Sequence, residues 1–312
     1  MVQSSATPIL RLGTRGSPLA LAQARMTQQK LAAAHRLDPA EIEICVIRTS
    51  GDRIQDRALS EAGGKGLFTK ELEDALFEGR IDFAVHSAKD MPTELPAGLA
   101  LVAALEREDP RDVLVSRKVS TFAALPQGAR LGTASLRRQA MVKKLRPDLV
   151  VSMLRGNVET RLRRIDEDAF DATLLALAGL RRLGMPEVAT EILSIEDFLP
   201  AVGQGVVVIE AREADETTRN YLSAIDHRES GIALAAERAF LAVLDGSCRT
   251  PIGGHATIEN GNLRFRGQIL KPDGGESHET SRQGSIADAV KLGADAGAEL
   301  KRRGGAGFFV HG

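Results

Sequence analysis

The amino-acid sequence predicts an α/β protein built from two doubly wound units and a smaller α+β unit at its carboxyl end. Short apolar runs alternate with segments of helical period, in the order expected of parallel sheets with crossover helices. From about Tyr221 this order gives way to one long helix followed by alternating strands. The length of 312 residues suits two or three domains, and an apolar content of 43% is enough for their cores.

The first unit is predicted as three strands separated by two helices. Ser17 is a suitable N-cap for the first helix, and Pro18 occupies the first helical position, where its missing N–H costs nothing. Gly79 suits the end of the second helix. The elements are strand 9–15, helix 17–35, strand 41–49, helix 68–79 and strand 81–87.

The pattern restarts after a charged stretch at 106–112. The predicted elements are strand 113–116, strand 130–135, helix 135–147, strand 150–156, helix 157–168 and strand 172–180, which runs into a further helix. The apolar run 201–211 suits a strand that is buried on both faces and crosses back to the first unit. The third unit is predicted as helix 229–244, strands such as 262–270, and a final helix 288–305.

Composition and motifs exclude several classes of protein. No apolar run approaches the ~20 residues that span a bilayer, and the start of the chain lacks the basic-then-apolar order of a secretory signal, so we expect a cytoplasmic protein. Two cysteines do not make a disulfide framework. The absence of Trp and the single Tyr argue against single-stranded nucleic acid as a ligand. The six His residues show no metal-ligand spacing, and no HExxH or CxxC motif occurs.

Positive charge is concentrated in one part of a chain that is neutral as a whole. The sequence has 41 Lys and Arg against 42 Asp and Glu, yet residues 130–182 hold twelve basic and six acidic residues. An Arg side chain binds a carboxylate or a phosphate through two parallel hydrogen bonds. A single Arg is more often solvated or a helix cap, but the whole set predicts a small ligand with several negative groups.

Polar and charged residues follow one predicted strand after another, and ligands of open parallel sheets sit beyond the carboxyl ends of the strands. The bland alternative is that loops are polar in any case. Asp90 in this setting can hold a developing cation or move a proton, although a surface salt bridge is the simpler interpretation for one Asp alone. The candidate residues are Thr14, Arg15, Ser17, Thr49, Gly51, Asp52, His86, Ser87, Lys89, Asp90, Thr133, Ser135, Arg137, Arg138, Arg155, Gly156 and Asn157.

Two loops could contribute to such a site. The segment 51–66 is long, polar and Gly-bearing, which predicts either a mobile lid or an ordinary surface loop, and its GGKG lacks the spacing of a nucleotide-binding P-loop. Cys248 lies in a polar loop beside Arg249, which favours the thiolate, whereas Cys45 lies inside a strand and is expected to be inert. Cys248 is therefore either a nucleophile or attachment site, or an ordinary loop residue.

Nine segments taken together resemble the porphobilinogen deaminase family, also called hydroxymethylbilane synthases. They cover nearly the whole chain, and their combination is highly specific. The segments are TRGSPLALAQA (14–24), GGKGLFTKELE (63–73), DFAVHSAKDMP (82–92), EREDPRDVLVS (106–116), GTASLRRQA (132–140), LRGNVETRL (154–162), LALAGLRRLG (175–184), LPAVGQG (199–205) and GSCRTPIG (246–253).

The resemblance implies an enzyme that joins four porphobilinogen molecules head to tail, releases four ammonia molecules and frees the linear tetrapyrrole hydroxymethylbilane. It implies a dipyrromethane cofactor held by a thioether to Cys248, and a catalytic carboxylate at Asp90 that stabilises the cation left by loss of ammonia. We expect porphobilinogen as the small-molecule substrate, with no nucleic-acid or membrane partner. We also expect a monomer, because no predicted helix is apolar on two faces.

Each pyrrole carries an acetate and a propionate, so the growing chain is a polyacid, which accounts for the arginines. Two positions depart from the family pattern: Glu61 stands where many relatives have a second lysine, and Ala134 lacks a hydroxyl that many relatives carry. The positions that the resemblance implies for cofactor or substrate binding are Arg15, Ser17, Lys65, Lys89, Thr133, Ser135, Arg137, Arg138, Arg155, Gly156, Arg161, Arg182 and Gln204.

The family fold has three domains, of which the first two resemble periplasmic binding proteins. We expect residues 1–105 with 203–222 to form the first domain, 106–202 the second and 223–312 the third. Two other functions stay open: an anion-binding protein of the same two-lobed fold without catalysis, and a cysteine hydrolase that uses Cys248 with His255 or His86. The mass of the intact protein separates all three, because only the synthase gains a dipyrromethane.

Overall fold

The computed structural model describes residues 9–53, 68–245 and 250–309, without the side chains of Asp52 and Arg53. Three sheets with flanking helices organise these residues, and each sheet has its own cluster of buried apolar side chains. This arrangement confirms the predicted α/β class with a smaller α+β unit. No helix in the described ranges is both long and apolar enough to cross a membrane.

The first sheet consists of β1 (Leu10–Thr14), β2 (Ile42–Val46), β3 (Phe83–Ser87), β4 (Leu99–Ala104) and β10 (Val207–Arg212). Its strand order is β2-β1-β3-β10-β4. β1 is parallel to β2 and β3, whereas β10 is antiparallel to β3 and β4. The apolar run after residue 200 therefore does return to the first sheet, although its strand begins only at Val207. The neighbouring helices are α1 (Pro18–His35), α2 (Ser50–Arg53), α3 (Lys70–Phe77) and α7 (Glu216–Ser223).

The carboxyl ends of the parallel strands lie at one edge of this sheet. The hydroxyl of Ser17 accepts a hydrogen bond from the N–H of Ala20 at 3.3 Å, which confirms the predicted cap of α1. After β3 the chain enters a short 3-10 turn, Ala88–Asp90. Because β1 and β3 are parallel, the cap of α1 and this turn lie at the same edge of the sheet.

The second sheet repeats this plan with β5 (Asp112–Ser116), β6 (Arg130–Gly132), β7 (Val150–Ser152), β8 (Ala172–Ala176) and β9 (Glu191–Ile192). The strand order is β7-β6-β8-β5-β9, with β6 parallel to β7 and β8, and β5 antiparallel to β8 and β9. Its helices are α4 (Leu136–Leu145), α5 (Val158–Asp166) and α6 (Leu177–Arg182). Each helix follows a parallel strand directly, so its first turn stands at the carboxyl edge of the sheet.

The third sheet is an antiparallel meander of β11 (Ile252–Glu259), β12 (Asn262–Leu270) and β13 (Ser277–Ser285). Two helices, α8 (Arg228–Val243) and α9 (Ala289–Gly304), cover one of its faces. The rings of Phe240 and Phe265 meet in that core with their centroids 4.9 Å apart. The residue ranges proposed for three domains stay a prediction.

Two chain segments, 105–111 and 193–206, connect the first two sheets, and one buried carboxylate holds both. Glu237 of α8 is fully buried and binds the guanidinium of Arg107. It also accepts hydrogen bonds from the N–H of Gly203 and of Ala256, both at 2.7 Å. Burial alone would raise the pKa of Glu237, but Arg107 and the neighbouring His255 lower it to about 2. The connecting segments and the third sheet therefore share one charged anchor.

Gly293 of α9 lies where α8 and α9 approach most closely, and a Cβ there would overlap the carbonyl oxygen of Ala236. We expect Gly293→Ala to lower the melting temperature. Overpacking costs about 1–3 kcal/mol, whereas alanine gains only about 1 kcal/mol over glycine in a helix. Gly231→Ala is the control, because no atom lies within 4 Å of its added Cβ, and it should raise the melting temperature. Equal stabilisation by both substitutions in a thermal melt would contradict this view of the helix contact.

Candidate active site

Asp90 ends the 3-10 turn that follows β3, and its side chain is exposed. It lines a cavity together with Arg15 and Ser17, which come from the chain after β1. Asp90 forms no ion pair with any residue in the described ranges. The simpler interpretation of Asp90 as half of a surface salt bridge therefore has no support among these residues. The structure thus presents an accessible carboxylate beside a guanidinium and a hydroxyl.

Side chains around the cavity hold its two walls in place. The guanidinium carbon of Arg15 lies 4.1 Å from the centroid of the Phe68 ring, a cation–π distance. Gln23 of α1 donates a hydrogen bond to the hydroxyl of Ser87, at the end of β3, over 2.9 Å. These contacts join the helix after β1 to the strand that leads to Asp90. Sequence reasoning missed both Gln23 and Phe68, because a helix glutamine and a phenylalanine carry no motif of their own.

Lys89 connects this cavity to the cations of the second sheet. Burial lowers the pKa of Lys89 to about 8, against the opposing effect of the neighbouring Asp90. The positive charges of Arg138 and Arg137 lower it further. A Cβ on Gly203 would lie 3.1 Å from the backbone N of Lys89, and the next residue, Gln204, donates a hydrogen bond to Asp112 at 2.9 Å, so the connecting segment joins the turn after β3 to the start of β5.

A buried carboxylate organises two of the predicted arginines. Asp112, the first residue of β5, is fully buried and accepts hydrogen bonds at 2.7 Å from Arg137 Nη2 and from Arg138 Nη2. Gln204 Nε2 adds another at 2.9 Å. Burial alone would raise the pKa of Asp112, but the two guanidiniums hold it far below its ordinary value. Two positive groups surround one negative group, so the cluster keeps a net positive charge.

Some polar atoms in and near this cluster have no protein partner. Arg137 Nε, Arg155 Nη1 and Gln204 Oε1 are buried and form no hydrogen bond in the part of the chain that the structure describes. A buried donor without an acceptor costs about 1–3 kcal/mol. Two of these three atoms are guanidinium N–H groups, which are complementary to the carboxylates of a bound molecule.

The loop after β7 and the helix α5 that follows it supply two further cations, Arg155 and Arg161. Gly156 has φ of +111°, a left-handed conformation that suits glycine, and its carbonyl accepts a hydrogen bond from Arg161 Nε at 3.0 Å. Burial lowers the pKa of Arg161 to about 10, and the charges of Arg138 and Arg155 act in the same direction. A group of like charges in a partly buried place is unfavourable unless an anion joins it.

Four other predicted residues have mainly structural contacts. Thr133 Oγ1 accepts a hydrogen bond from the N–H of Ser135 at 3.2 Å, and Ser135 Oγ caps α4. Arg182 Nη2 donates to the carbonyl of Gly205 at 2.6 Å, beside the connecting segment rather than beside Asp90. Gln204 donates to the carbonyl of Pro110 as well as to Asp112. Any role of these four in binding stays a prediction.

The two histidines considered for a cysteine hydrolase both face buried carboxylates. His86 Nε2 lies 3.1 Å from Glu210 Oε2, and His255 Nδ1 lies 3.5 Å from Glu237 Oε1. Cys248 and Lys65 lie outside the described residues, as do the departure at Glu61 and nearly all of the segment predicted as a lid. Nothing in the described ranges groups three or more His, Cys, Asp or Glu side chains as a metal site.

Comparison with known proteins gives consistent matches over the whole chain. The family model described as "Porphobilinogen deaminase, dipyromethane cofactor binding domain" matches residues 10–220, and "Porphobilinogen deaminase, C-terminal domain" matches residues 232–302. The porphobilinogen deaminases of Nitrobacter winogradskyi and Nitrobacter hamburgensis are 59% and 57% identical to it over 311 residues, which is 99% of this chain and 98% of each relative.

Two solved structures of binding proteins also align with this chain. The methionine-binding protein MetQ gives a TM-score of 0.45 at 13% identity, over 73% of this chain and 94% of its own. A periplasmic substrate-binding protein of an ABC transporter from Coxiella burnetii gives 0.42 at 14% identity, over 74% and 97%.

The accessible Asp90 carboxylate and the unpaired N–H groups of Arg137 and Arg155 are features of an enzyme that binds an anionic ligand. With the family matches and relatives above, the chain belongs to the porphobilinogen deaminase family. It is a transferase of tetrapyrrole assembly that uses a dipyrromethane cofactor, so the two other functions left open by the sequence are wrong. The unpaired N–H groups of Arg137 and Arg155 fit the carboxylates of that cofactor.

Proposed function

We propose that Asp90 is the catalytic group in the head-to-tail condensation of four porphobilinogen molecules to hydroxymethylbilane, with release of four ammonia molecules. The observation that carries this proposal is the exposed Asp90 carboxylate at the edge of the first sheet, with Lys89 and Arg15 beside it. Its surroundings are cationic, as a polyacidic substrate requires.

Asp90 can act on charge that develops during the reaction. When ammonia leaves, the substrate becomes an electron-poor cation, and a carboxylate within hydrogen-bond reach of the pyrrole N–H stabilises that cation. The attacking pyrrole carbon must afterwards lose a proton. An exposed carboxylate can accept this proton and exchange it with water, because it is open to solvent.

The cations would hold the acetate and propionate groups of the growing chain. Arg155 and Arg161 stand together after β7, and the charge of Arg138 acts on the pKa of both Lys89 and Arg161. Lys89, with a pKa of about 8, is mostly charged at neutral pH and can bind a carboxylate there. Each such charge-assisted hydrogen bond is worth about 1.5–3 kcal/mol, so several of them would fix a polyacid firmly.

We propose that Cys248 holds the dipyrromethane by a thioether, with Arg137 and Arg155 binding its carboxylates through their unpaired N–H groups. When bound, the dipyrromethane supplies the terminal pyrrole carbon to which the first substrate is joined. Asp112 then orients the guanidinium groups of Arg137 and Arg138, and Gln204 holds Asp112 in place by a hydrogen bond. Arg137 Nε, which Asp112 does not use, remains for the ligand.

Cys248→Ala is expected to yield a folded protein of unmodified mass with little activity. Wild-type protein should exceed its sequence mass by one dipyrromethane, because the thioether survives denaturation. Intact-mass spectrometry and an assay of ammonia release from porphobilinogen measure both effects. Cys45→Ala is the matched control, since Cys45 is the free cysteine in the described ranges, and it should retain the added mass. A dipyrrole still attached to Cys248→Ala would place the attachment elsewhere.

A cytoplasmic location and a monomeric state stay predictions. The free Cys45 thiol agrees with a reducing compartment, where unpaired thiols persist. Sedimentation of the purified protein at several concentrations would test the monomer.

A further inference from the structure

A second cleft, of about 400 Å³, lies between the third sheet and the segment 195–199 that leads out of the second sheet. None of the residues assigned above to catalysis or to cofactor and substrate binding lines this cleft. One wall is polar and is formed by β11, β12 and β13. The opposite wall is formed by Ile195, Glu196 and Leu199, of which two are apolar.

The polar wall is one face of the third sheet. Residues directly opposite each other in an antiparallel sheet project from the same face. The strand register sets two rows of three such residues side by side, and all six line the cleft: His255–Arg266–Ser281 and Thr257–Arg264–Gln283. α8 and α9 cover the other face, so this face is left to the cleft.

The charge on this wall is only partly compensated. Arg264 forms no ion pair or hydrogen bond with any residue that the structure describes. Arg266 pairs with Glu196 at 2.6 Å, and Glu279 lies 3.9 Å away. The Glu196 side chain is 78% exposed, and an exposed pair of this kind contributes little, so a ligand can replace it. Arg282 also lines the cleft, but Asp295 and Glu299 neutralise it.

The spacing of the two arginines suits an anion with two negative groups. Arg264 and Arg266 are two residues apart on one strand, so their Cα atoms are about 7 Å apart along it. At this separation, two carboxylates joined by a short carbon chain can each engage one of the two guanidiniums. Ile195 and Leu199 offer apolar contact to that carbon chain. We propose that this cleft binds a small dicarboxylate anion, with Arg264 and Arg266 each holding one carboxylate.

Hydroxyl, amide and imidazole groups complete the site. Thr257 and Gln283 flank Arg264, and Ser281 flanks Arg266, so each carboxylate has a second donor next to its guanidinium. His255 Nδ1 faces Glu237, which leaves Nε2 as the ring nitrogen for a ligand. A dicarboxylate in this place contacts the third sheet and the segment 195–199 together, and therefore stabilises their contact.

The wall segment also reaches the active site. The carbonyl of Leu199 accepts a hydrogen bond from Arg137 Nη1 at 2.8 Å, and the carbonyl of Pro200 accepts one from the N–H of Gly254 at 3.0 Å. A ligand that fixes this segment therefore acts directly on the backbone that holds Arg137. Binding of a dicarboxylate in this cleft can therefore affect the cation cluster around Asp112.

Calorimetric titration of the purified full-length holoenzyme with glutarate, at low ionic strength, tests the proposal. Wild type should bind glutarate and melt at a higher temperature in its presence, because the ligand binds only the folded protein. Arg264→Ala should weaken binding at least about tenfold, since one charge-assisted interaction is lost. Acetate, with one carboxylate, should bind at least about tenfold more weakly than glutarate.

Two control variants locate the binding. Arg302→Ala removes an exposed arginine of α9 outside the cleft and should leave the affinity unchanged. Arg155→Leu alters the proposed substrate site and should also leave it unchanged. If Arg155→Leu abolishes binding while Arg264→Ala does not, glutarate occupies the substrate site and the cleft proposal fails. Absence of both heat and a melting shift with wild type up to about 10 mM glutarate overturns it as well.

Discussion

Asp90→Asn is expected to fold and to bind porphobilinogen, yet to turn it over roughly 10²–10⁴-fold more slowly than wild type. Asparagine keeps the shape of the side chain and removes its charge. The lost interaction acts mainly on the cation formed as ammonia leaves, so kcat should fall while KM changes little. Steady-state rates of ammonia release, with a thermal melt to check folding, provide the measurement.

Two further variants test whether the charge of Asp90 and its position cause the expected loss of turnover. Asp90→Glu should retain more activity than Asp90→Asn, because the charge survives and only its position shifts. Asp74→Asn changes an exposed aspartate on α3, outside the cavity, and should have wild-type kinetics. Near-normal turnover by a well-folded Asp90→Asn would remove Asp90 from the mechanism and leave a substrate carboxylate as the candidate for stabilising the cation and Lys89 as a candidate for moving the proton.

Asp112→Asn is expected to destabilise the protein by about 3–5 kcal/mol, because it leaves two buried guanidiniums without their counter-charge. The melting temperature should fall by on the order of 10 °C. Arg137 and Arg138 would repel each other more strongly, and their remaining acceptors, the carbonyls of Leu199 and Leu174 and the new side-chain amide oxygen, are all uncharged. Thermal melts of the purified variant measure the loss.

The pH dependence and a surface control make this prediction specific. The pKa of Asp112 is depressed in the folded state, so its stabilisation is present above the ordinary aspartate pKa of about 4 and is lost as pH falls below it. The difference in melting temperature between wild type and Asp112→Asn should therefore be largest near pH 7 and should become smaller in acid. Asp166→Asn breaks an exposed pair with Arg117 and should cost less than about 1 kcal/mol. Equal losses in both variants would contradict a buried charge cluster.

The position of Asp90 could be predicted from the sequence because an unambiguous strand precedes it. Residues 83–87 are apolar enough to be buried, and the polar residues after them must then lie at the strand's carboxyl end. The N-cap Ser17 followed in the same way from local chemistry. These features depend on a few neighbouring residues, which is why sequence reasoning reaches them.

The partners of the arginines could not be predicted. Asp112 starts a buried strand and lies 25 and 26 residues before the two arginines that it binds. Within the charged stretch 106–112 it looks like one more loop carboxylate, because only the fold brings it to α4. Strand β4 was missed for another reason: an apolar run as short as 99–104 does not distinguish a strand from part of a helix. The end of β2 was placed three residues too late, since pairing with β1 stops at Val46.

The shared anchor at Glu237 restricts how the molecule can make room for a lengthening product. If the product lengthens between the two large sheets, as the proposed site implies, any movement of one sheet against the other must bend the segments 105–111 and 193–206, which join them. Glu237 ties Arg107 in one segment and Gly203 in the other to α8. We therefore expect the axis of this movement to lie near α8. The third sheet should keep its position relative to α8 while the two larger sheets rotate.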